Sequence, residues 1–270
     1  MAIKRGVVLL VLGFSLTAGF IDLVTLVHFQ QFAGLQTGNM ILIGRDLYRL
    51  TLPNESKSDL LKAVAFHIAT LISHFAGVLC FCGLAHACNG PTRAGALLIG
   101  RPVRVGAILV GVLTLAGSLL DLLSKGNDWS VCLIAASMGV VNFIPSPNSE
   151  LGGKLFLMTV LTTGNLQKSA KMLFKLLICH RFTDEEKQQT CCAVTTILGT
   201  IVGALLGALA LFGNPLGQEQ KDRYGESVYL LLMAPVQVIL LCLHDHIFRP
   251  RPIESDFQEA STSLAAVNSA

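Results

Sequence analysis

The stretch Leu35-Gln36-Thr37-Gly38-Asn39-Met40 has a close copy in the same chain, Thr162-Thr163-Gly164-Asn165-Leu166. Both copies follow an apolar run and precede a segment that carries basic residues. A pair of a glycine and a polar residue three positions later stands before each copy: Gly19 and Asp22 before the first, Gly139 and Asn142 before the second. The two pairs are 120 residues apart and the two Thr-Gly-Asn motifs are 126 residues apart. The sequence therefore predicts two similar halves that differ by one small insertion.

The composition favours a membrane protein over a soluble domain. Hydrophobic residues make up 52% of the chain, charged residues 14%, and the mean hydropathy is +0.63, whereas a soluble domain carries about 25% charged residues. Several nearly uncharged stretches have the ~20 residues that a helix needs to cross ~30 Å of hydrocarbon. The predicted spans are Val7–Phe29, Leu61–Ala87, Val103–Leu123, Trp129–Ile144, Cys191–Phe212 and Val228–Phe248. Six spans fill most of the 270 residues and leave no room for a soluble catalytic domain.

We therefore predict an all-α polytopic membrane bundle of about six transmembrane helices. It consists of two three-helix repeats, residues 1–125 and 126–248, each with a short Thr-Gly-Asn element, followed by a disordered cytoplasmic tail, 249–270. Because three is an odd number, the second repeat must enter the membrane upside down, and inverted repeats are a recurring transporter construction. The predicted topology places 13 of the 20 Lys and Arg residues on the side of the two termini, which predicts that both termini are cytoplasmic.

Other classes of protein receive little support. The net charge is only +3 and the basic residues lie in loops, so no nucleic-acid partner is expected. The eight cysteines lie mostly in or beside apolar runs, where they act as small hydrophobic residues. The sequence has no Walker loop, no Gly-x-Ser-x-Gly and no His-Glu-x-x-His motif. We predict no enzymatic activity, no catalytic residue, no metal site and no cofactor.

Asp22 is the most informative single residue, because an acid inside a span costs about 2.5–3.5 kcal/mol on insertion scales and must face the bundle. Its carboxylate is expected either to titrate or bind a cation, or to hydrogen-bond the neighbouring loop that carries Thr37-Gly38-Asn39. The Thr-Gly-Asn motif has two interpretations of its own. It either presents backbone N–H groups and amides to a ligand, or it caps the helix that follows.

Three further patterns concern contacts. His67 and His74 share one helix face about 10.5 Å apart, too far to hold one metal ion, so interhelical hydrogen bonds are expected. Gly199, Gly203 and Gly207 form a close-packing face for another helix, and this face is the predicted surface for a homo-oligomer. Lys168, Lys171 and Lys175 form the basic face of an amphipathic helix that is predicted to contact the lipid bilayer.

The motif pattern resembles the YoaK family of bacterial multi-pass membrane proteins, a domain family of unknown function. The residues that carry the resemblance are the segment Ala18–Asp22, Thr37-Gly38-Asn39, Gly139 with Asn142, and the segment Leu161–Leu166. The resemblance covers Val7 to Phe248 and implies an inner-membrane protein with about six helices and no established substrate. The chain departs from the family pattern at Val141, where a glutamine is usual, and at Gln36, where a methionine is usual.

The resulting expectation is a secondary transporter or channel-like protein for a small solute or ion. The predicted substrate-binding residues are Asp22, Thr37, Gly38, Asn39, Asn142, Thr163, Gly164 and Asn165. Two alternatives remain open: a non-transporting membrane module that binds a partner protein or lipid, and an intramembrane enzyme that uses Asp22 with His67 or His74 as acid and base.

Overall fold

The computed structural model describes residues 5–53, 55–89, 101–124, 128–144, 170, 183–212 and 224–248. Its helices are α1 (Arg5–Phe29), α2 (Gln36–Arg49), α3 (Lys57–Asn89), α4 (Arg101–Leu123), α5 (Ser130–Phe143), α6 (Asp184–Phe212) and α7 (Tyr224–Phe248). No strand occurs within these ranges, and the predicted all-α fold is confirmed. The second Thr-Gly-Asn motif, the three lysines of the predicted amphipathic helix and the tail lie outside the described residues.

Five helices are long and apolar enough to cross a membrane, namely α1, α3, α4, α6 and α7. The remaining predicted span is α5, which has 14 residues and is therefore only about 21 Å long. A helix of that length does not cross the ~30 Å hydrocarbon core. The sequence predicted about six spans, whereas the described ranges contain five helices long enough to cross a membrane. Two helices, α3 and α6, begin four and seven residues earlier than predicted, because polar residues extend them beyond the apolar run.

The bundle places apolar side chains on its surface and polar side chains inside. Exposed large hydrophobic residues occur along the helices, for example Leu9, Phe75, Ile108, Leu205 and Ile239. Completely buried polar residues include Thr25, Asn39, Thr114, Ser137 and Gln237. A surface in contact with lipid must be apolar, whereas polar groups at membrane depth need partners inside the protein. This distribution and the apolar spans are those of an integral membrane protein.

Glycines allow α1 and α6 to meet backbone to backbone. A Cβ on Gly19 would overlap the carbonyl of Thr200, and a Cβ on Gly203 would overlap the carbonyl of Leu16. Small residues at such an interface let helix backbones approach closely and gain dispersion contacts that larger side chains would prevent.

An equivalent pair of contacts joins α3 and α5. A Cβ on Gly139 would overlap the carbonyl of His74, and a Cβ on Gly77 would overlap the carbonyl of Ala136. These contacts correspond to the previous pair by the offsets of the two motifs. Adding 120 to the α1 positions 19 and 16 gives 139 and 136, and subtracting 126 from the α6 positions 200 and 203 gives 74 and 77. The offsets that relate the two motifs in sequence therefore also relate helix contacts in space, which supports the division into two repeats.

The helix directions follow from paired contacts. The parallel pairs are α1 with α6, shown by Ser15 against Gly199 and Leu23 against Gly207, and α3 with α5, shown by the ring pairs Phe66–Trp129 and Phe81–Phe143. The antiparallel pairs are α1 with α7, α4 with α5 and α4 with α7. The contact Gly13–Leu240 joins α1 to α7, and Gly106–Ile144 and Gly117–Ile134 join α4 to α5. Arg104–Asp245 and Thr114–Gln237 join α4 to α7. Thus α1, α4 and α6 point one way and α3, α5 and α7 the other. This alternation supports inverted repeats.

The predicted glycine face of α6 is covered within the chain. A Cβ on Gly199 would lie 2.8 Å from Cβ of Ser15, and a Cβ on Gly207 would lie 3.3 Å from a side-chain carbon of Leu23. Together with Gly203 against Leu16, all three glycines face α1. The close-packing function of this face is therefore intramolecular, and the prediction of a homo-oligomer through it is corrected, because α1 occupies the surface that a second copy would need.

The chain reverses direction directly after α1. Gln30 has a φ of 56°, the left-handed conformation that lets the backbone turn back. The N–H of Gln31 then reaches back to the carbonyl of Thr25, 3.5 Å away. Residues 30–35 run back beside α1, since Gly34 meets Asp22, a residue about 10 Å before the end of that helix. We call residues 30–49, which include α2, the re-entrant segment.

The turn at Gln30 provides a stability test. Replacement by isoleucine should lower the free energy of unfolding by about 1–2 kcal/mol, because a side chain branched at Cβ strains a left-handed backbone. Replacement by glycine is the matched control, since glycine adopts positive φ without strain. Unfolding in detergent micelles measures both variants, and equal stability of the isoleucine and glycine variants would contradict the assigned backbone conformation.

Candidate functional site

Asp22 holds the re-entrant segment against α1. The residue is only 9% exposed, and its Oδ1 accepts hydrogen bonds from the backbone N–H groups of Gly34 (2.6 Å) and Leu35 (3.2 Å). These donors immediately precede the first turn of α2, where the helix dipole favours a negative charge. The predicted hydrogen bond from Asp22 to the neighbouring loop is therefore present in the structure.

Asn142 reaches the same peptide from α5. Its Nδ2 lies 3.5 Å from the carbonyl oxygen of Gly34, at the limit of a hydrogen bond. Asp22 and Asn142 occupy equivalent positions of the two repeats, as their 120-residue offset shows. One residue of the re-entrant segment, Gly34, is thus held on its N–H side by one half of the molecule and on its C=O side by the other.

A side chain at position 34 would crowd Met138 and Asp22. A Cβ there would lie 2.9 Å from Cε of Met138 and 3.2 Å from both carboxylate oxygens of Asp22. The absence of a side chain lets the backbone approach the carboxylate closely. The glycine of the sequence motif is Gly38, but the glycine that Asp22 and Asn142 both contact is Gly34.

Two oxygen atoms at this site remain free of hydrogen bonds from the part of the chain that the structure describes. Oδ2 of Asp22 has none, since both hydrogen bonds to the residue are accepted by Oδ1. Oδ1 of Asn142 is buried and has no partner. An unsatisfied buried oxygen costs about 1–3 kcal/mol, so Oδ1 of Asn142 is a prepared acceptor beside Gly34, and Oδ2 of Asp22 is a second oxygen there without a hydrogen bond.

The first Thr-Gly-Asn motif lies inside the first turn of α2 and does not cap it. The helix begins at Gln36, its N-cap residue is Leu35, and no side chain caps it by a hydrogen bond. Thr37 is exposed. The capping prediction and the predicted connection from residue 30 to residue 39 are therefore wrong, because the helical backbone already starts before the motif.

Asn39 is the structural member of that motif. Its side-chain amide pairs with the backbone of Phe32, accepting from the N–H (2.9 Å) and donating to the C=O (2.7 Å), and it also donates to Oε1 of Gln36 (3.1 Å). Gly38 faces the Phe32 ring, since a Cβ there would lie 2.5 Å from it. Asn39 and Gly38 thus fix the loop that carries Gly34. The equivalent residues Thr163, Gly164 and Asn165 lie outside the described residues.

A second polar cluster lies between α4, α5 and α7. Thr114 donates to Oε1 of Gln237 (2.9 Å), its hydroxyl lies 2.6 Å from that of Ser137, and the amide of Gln237 donates to the sulfur of Met138 (3.2 Å). Met138 also touches the Gly34 position. The polar interior therefore extends from Asp22 and Gly34 to α4 and α7.

His67 and Asp46 connect α3 to the outer part of α2. Nε2 of His67 lies 3.1 Å from Oδ2 of Asp46, and its Nδ1 lies 2.8 Å from Oε1 of Gln31. Arg45 donates to the other carboxylate oxygen of Asp46 at 2.7 Å. Burial acts to raise the pKa of Asp46, but the hydrogen bonds from Arg45 and His67 outweigh it and hold the pKa below its ordinary value. The predicted interhelical role of this histidine is present.

Two partly buried histidines also have partners. Nδ1 of His74 lies 3.1 Å from Nε2 of Gln36, and His28 lies 2.9 Å from the carboxylate of Asp121 in α4. No group of three or more His, Cys, Asp and Glu residues converges as a metal site within the described ranges. No hydrogen bond joins Asp22 to His67 or His74 among those residues, so the acid–base pair of the enzyme alternative is not assembled there.

Several of these partners were missed by sequence reasoning. Asp46 lies outside the six predicted spans, although Gly38, Asn39 and Asp46 are buried on one side of α2. Gly34 belongs to none of the motifs found in the sequence. The signal that could have found Asp46 was its spacing of seven residues from Asn39, two helical turns along one face.

The fold and this site define a polytopic helical membrane protein with a polar interior, in which Asp22 of α1 and Asn142 of α5 both contact the re-entrant segment. The chain belongs to a family of proteins of unknown function (DUF1275), whose family model matches residues 10–217. The matched range contains α1 to α6 and the residues around Gly34, and it ends before α7 begins. Comparisons with curated proteins and with solved structures gave no match.

Proposed function

We propose that this protein moves a small solute or ion across the bacterial inner membrane as a secondary transporter or channel-like protein. The observation that carries the proposal is the convergence of Asp22 and Asn142, one from each half, on the non-helical peptide of Gly34. Irregular backbone at membrane depth is stable only inside protein or beside a cavity. Transporters place their sites at such interrupted segments between inverted repeats.

The location and topology belong to the same proposal. The resemblance of the paired Gly-x-x-polar and Thr-Gly-Asn motifs to YoaK proteins supports the inner membrane, and the distribution of Lys and Arg supports cytoplasmic termini. Residues 1–125 and 126–248 would form the two repeats, and 249–270 the cytoplasmic tail. Lys168, Lys171 and Lys175 would contact anionic lipid, and no nucleic acid would bind.

We favour transport over the alternatives for specific reasons. The partner-binding alternative drew support from the glycine face of α6, and that face is covered by α1. The enzyme alternative needs Asp22 next to a histidine, whereas His67 contacts Asp46 and Gln31. We therefore propose a protein without enzymatic activity or cofactor.

Flux through proteoliposomes tests the proposal. With the full chain reconstituted and a panel of ions and small metabolites, wild type should carry at least one solute. Asp22→Asn should reduce that flux by about tenfold or more, equivalent to ~1.4 kcal/mol, because it removes the charge but retains an oxygen that can accept from Gly34. Tyr48→Phe, at an exposed position of α2, is the control and should transport like wild type. Undiminished flux in Asp22→Asn, or no flux of any solute, would refute the proposal.

A further inference from the structure

We propose that Asp22 and Asn142 bind a monovalent cation such as Na⁺ beside the Gly34 peptide. The inference rests on the proposed function and deepens it, because it names the class of ion that the site between the two halves takes.

At the Gly34 site, the two side-chain atoms that lack hydrogen bonds from the described residues are both oxygens. Oδ2 of Asp22 and Oδ1 of Asn142 belong to side chains that are anchored through their other polar atoms, to the N–H and to the C=O of Gly34. Each side chain is thereby oriented before a ligand arrives. Oxygen acceptors without donors suit a cation, whereas an anion would need N–H or O–H groups directed at it.

The charge at the site also favours a cation. Among the buried acids, Asp46 contacts Arg45 and His67, and Asp121 contacts His28. Asp22 has no basic side chain paired with it in the part of the chain that the structure describes. A buried carboxylate without a cationic partner is costly at membrane depth and marks an ion pathway.

The formal charge of the two side chains indicates the charge of the bound ion. One carboxylate and one neutral amide supply a single formal negative charge, which balances a monovalent ion. Ca²⁺ sites assemble six to eight oxygens that include several carboxylates, and Mg²⁺ requires near-octahedral geometry. Carbonyl groups of unwound segments coordinate Na⁺ in other transporter folds, but the carbonyl of Gly34 already accepts from Asn142 and from the N–H of Gln36, so the two side-chain oxygens are the ligands that the protein offers.

Thermal unfolding of the purified full chain in detergent provides the first test. Samples at about pH 8, where a free carboxyl is ionised, contain NaCl or choline chloride at equal ionic strength. Because a ligand that binds only the folded state stabilises it by mass action, Na⁺ should raise the Tm of wild type by about 5 °C at saturating concentrations. Binding of radiolabelled sodium to the same protein gives a readout that is independent of unfolding.

Variants at both positions make the test specific. Asp22→Asn should lose the Na⁺-dependent Tm shift, and Asn142→Ala should reduce it by at least half. Asn142→Asp adds a second carboxylate and should gain a response to Ca²⁺ that wild type lacks. The Asn142 variants give the answer if Asp22→Asn does not fold, and Tyr48→Phe, at an exposed position of α2, should keep the full wild-type shift.

The outcomes separate this inference from the proposed function. Sodium binding that depends on Asp22 and Asn142 without flux of any solute would support the site and refute transport. Flux that depends on Asp22 without a sodium response in either readout would support transport and overturn this inference. Equal sodium responses of wild type and the Asn142→Ala variant would also overturn it.

Discussion

Replacing Gly77 by alanine is expected to separate α3 from α5 and to lower the free energy of unfolding by about 3 kcal/mol, at the upper end of the usual cost of overpacking. The new Cβ would overlap the backbone carbonyl of Ala136. A flexible side chain can rotate away from a clash, but a helix backbone must move as a unit. Gly203→Ala should have a similar effect on α6 and α1, because its Cβ would overlap the carbonyl of Leu16.

Gly83 is the matched control, since it lies on the same helix as Gly77 and a Cβ there meets nothing within 4 Å. Gly83→Ala should leave stability unchanged or raise it by up to about 1 kcal/mol, because alanine favours the helix. Unfolding in mixed micelles compares the variants directly. If Gly77→Ala is as stable as Gly83→Ala, α3 and α5 do not pack at this distance.

Replacing Asn39 by leucine should destabilise the protein by about 2–4 kcal/mol and release the loop that carries Gly34. Leucine has a similar volume but leaves the buried N–H and C=O of Phe32 without their partner, at about 1–3 kcal/mol for each group. Asn39 is completely buried, so water cannot replace its amide. The free energy of unfolding and protease cleavage after residue 30 both report the change.

Thr37→Val separates this role from the rest of the Thr-Gly-Asn motif. Thr37 is exposed on α2 and should tolerate valine within about 0.5 kcal/mol, as surface positions usually do. A loss of stability in Thr37→Val equal to that in Asn39→Leu would show that the motif acts as a whole, contrary to the contacts described for Asn39.

Much of the fold could be predicted from the sequence because lipid imposes simple requirements. A span must be apolar and about 20 residues long, so α1, α4 and α7 follow from composition within a few residues. An acid in such a span must face protein, which placed Asp22 correctly in the interior. The doubled motif with its offsets of 120 and 126 residues predicted two similar halves, and the same offsets relate the glycine contacts between helices, although the sequence did not predict which helices pair.

The site could be predicted only in part. Asp22 and Asn142 were identified as equivalent positions, but nothing in the sequence indicated that both contact Gly34. That meeting depends on the chain reversal at Gln30, a residue type that seldom adopts positive φ. Asp46 was left outside the predicted spans because its segment contains the charged residues Arg45 and Arg49, although the helix buries Asp46 itself against His67. Whether such a residue is buried depends on its contacts with other helices, and a local sequence pattern does not contain those contacts.

The central claim is that the two halves hold one peptide, and a double-mutant cycle tests it most directly. The free energy of unfolding is measured for wild type, Asp22→Ala, Asn142→Ala and the double variant in the same micelles. Since each single change loosens the Gly34 peptide that the other residue needs, the account predicts non-additive losses, with a coupling energy of about 0.5 kcal/mol or more. Losses that add to within about 0.3 kcal/mol would contradict it, because independent sites behave in that way.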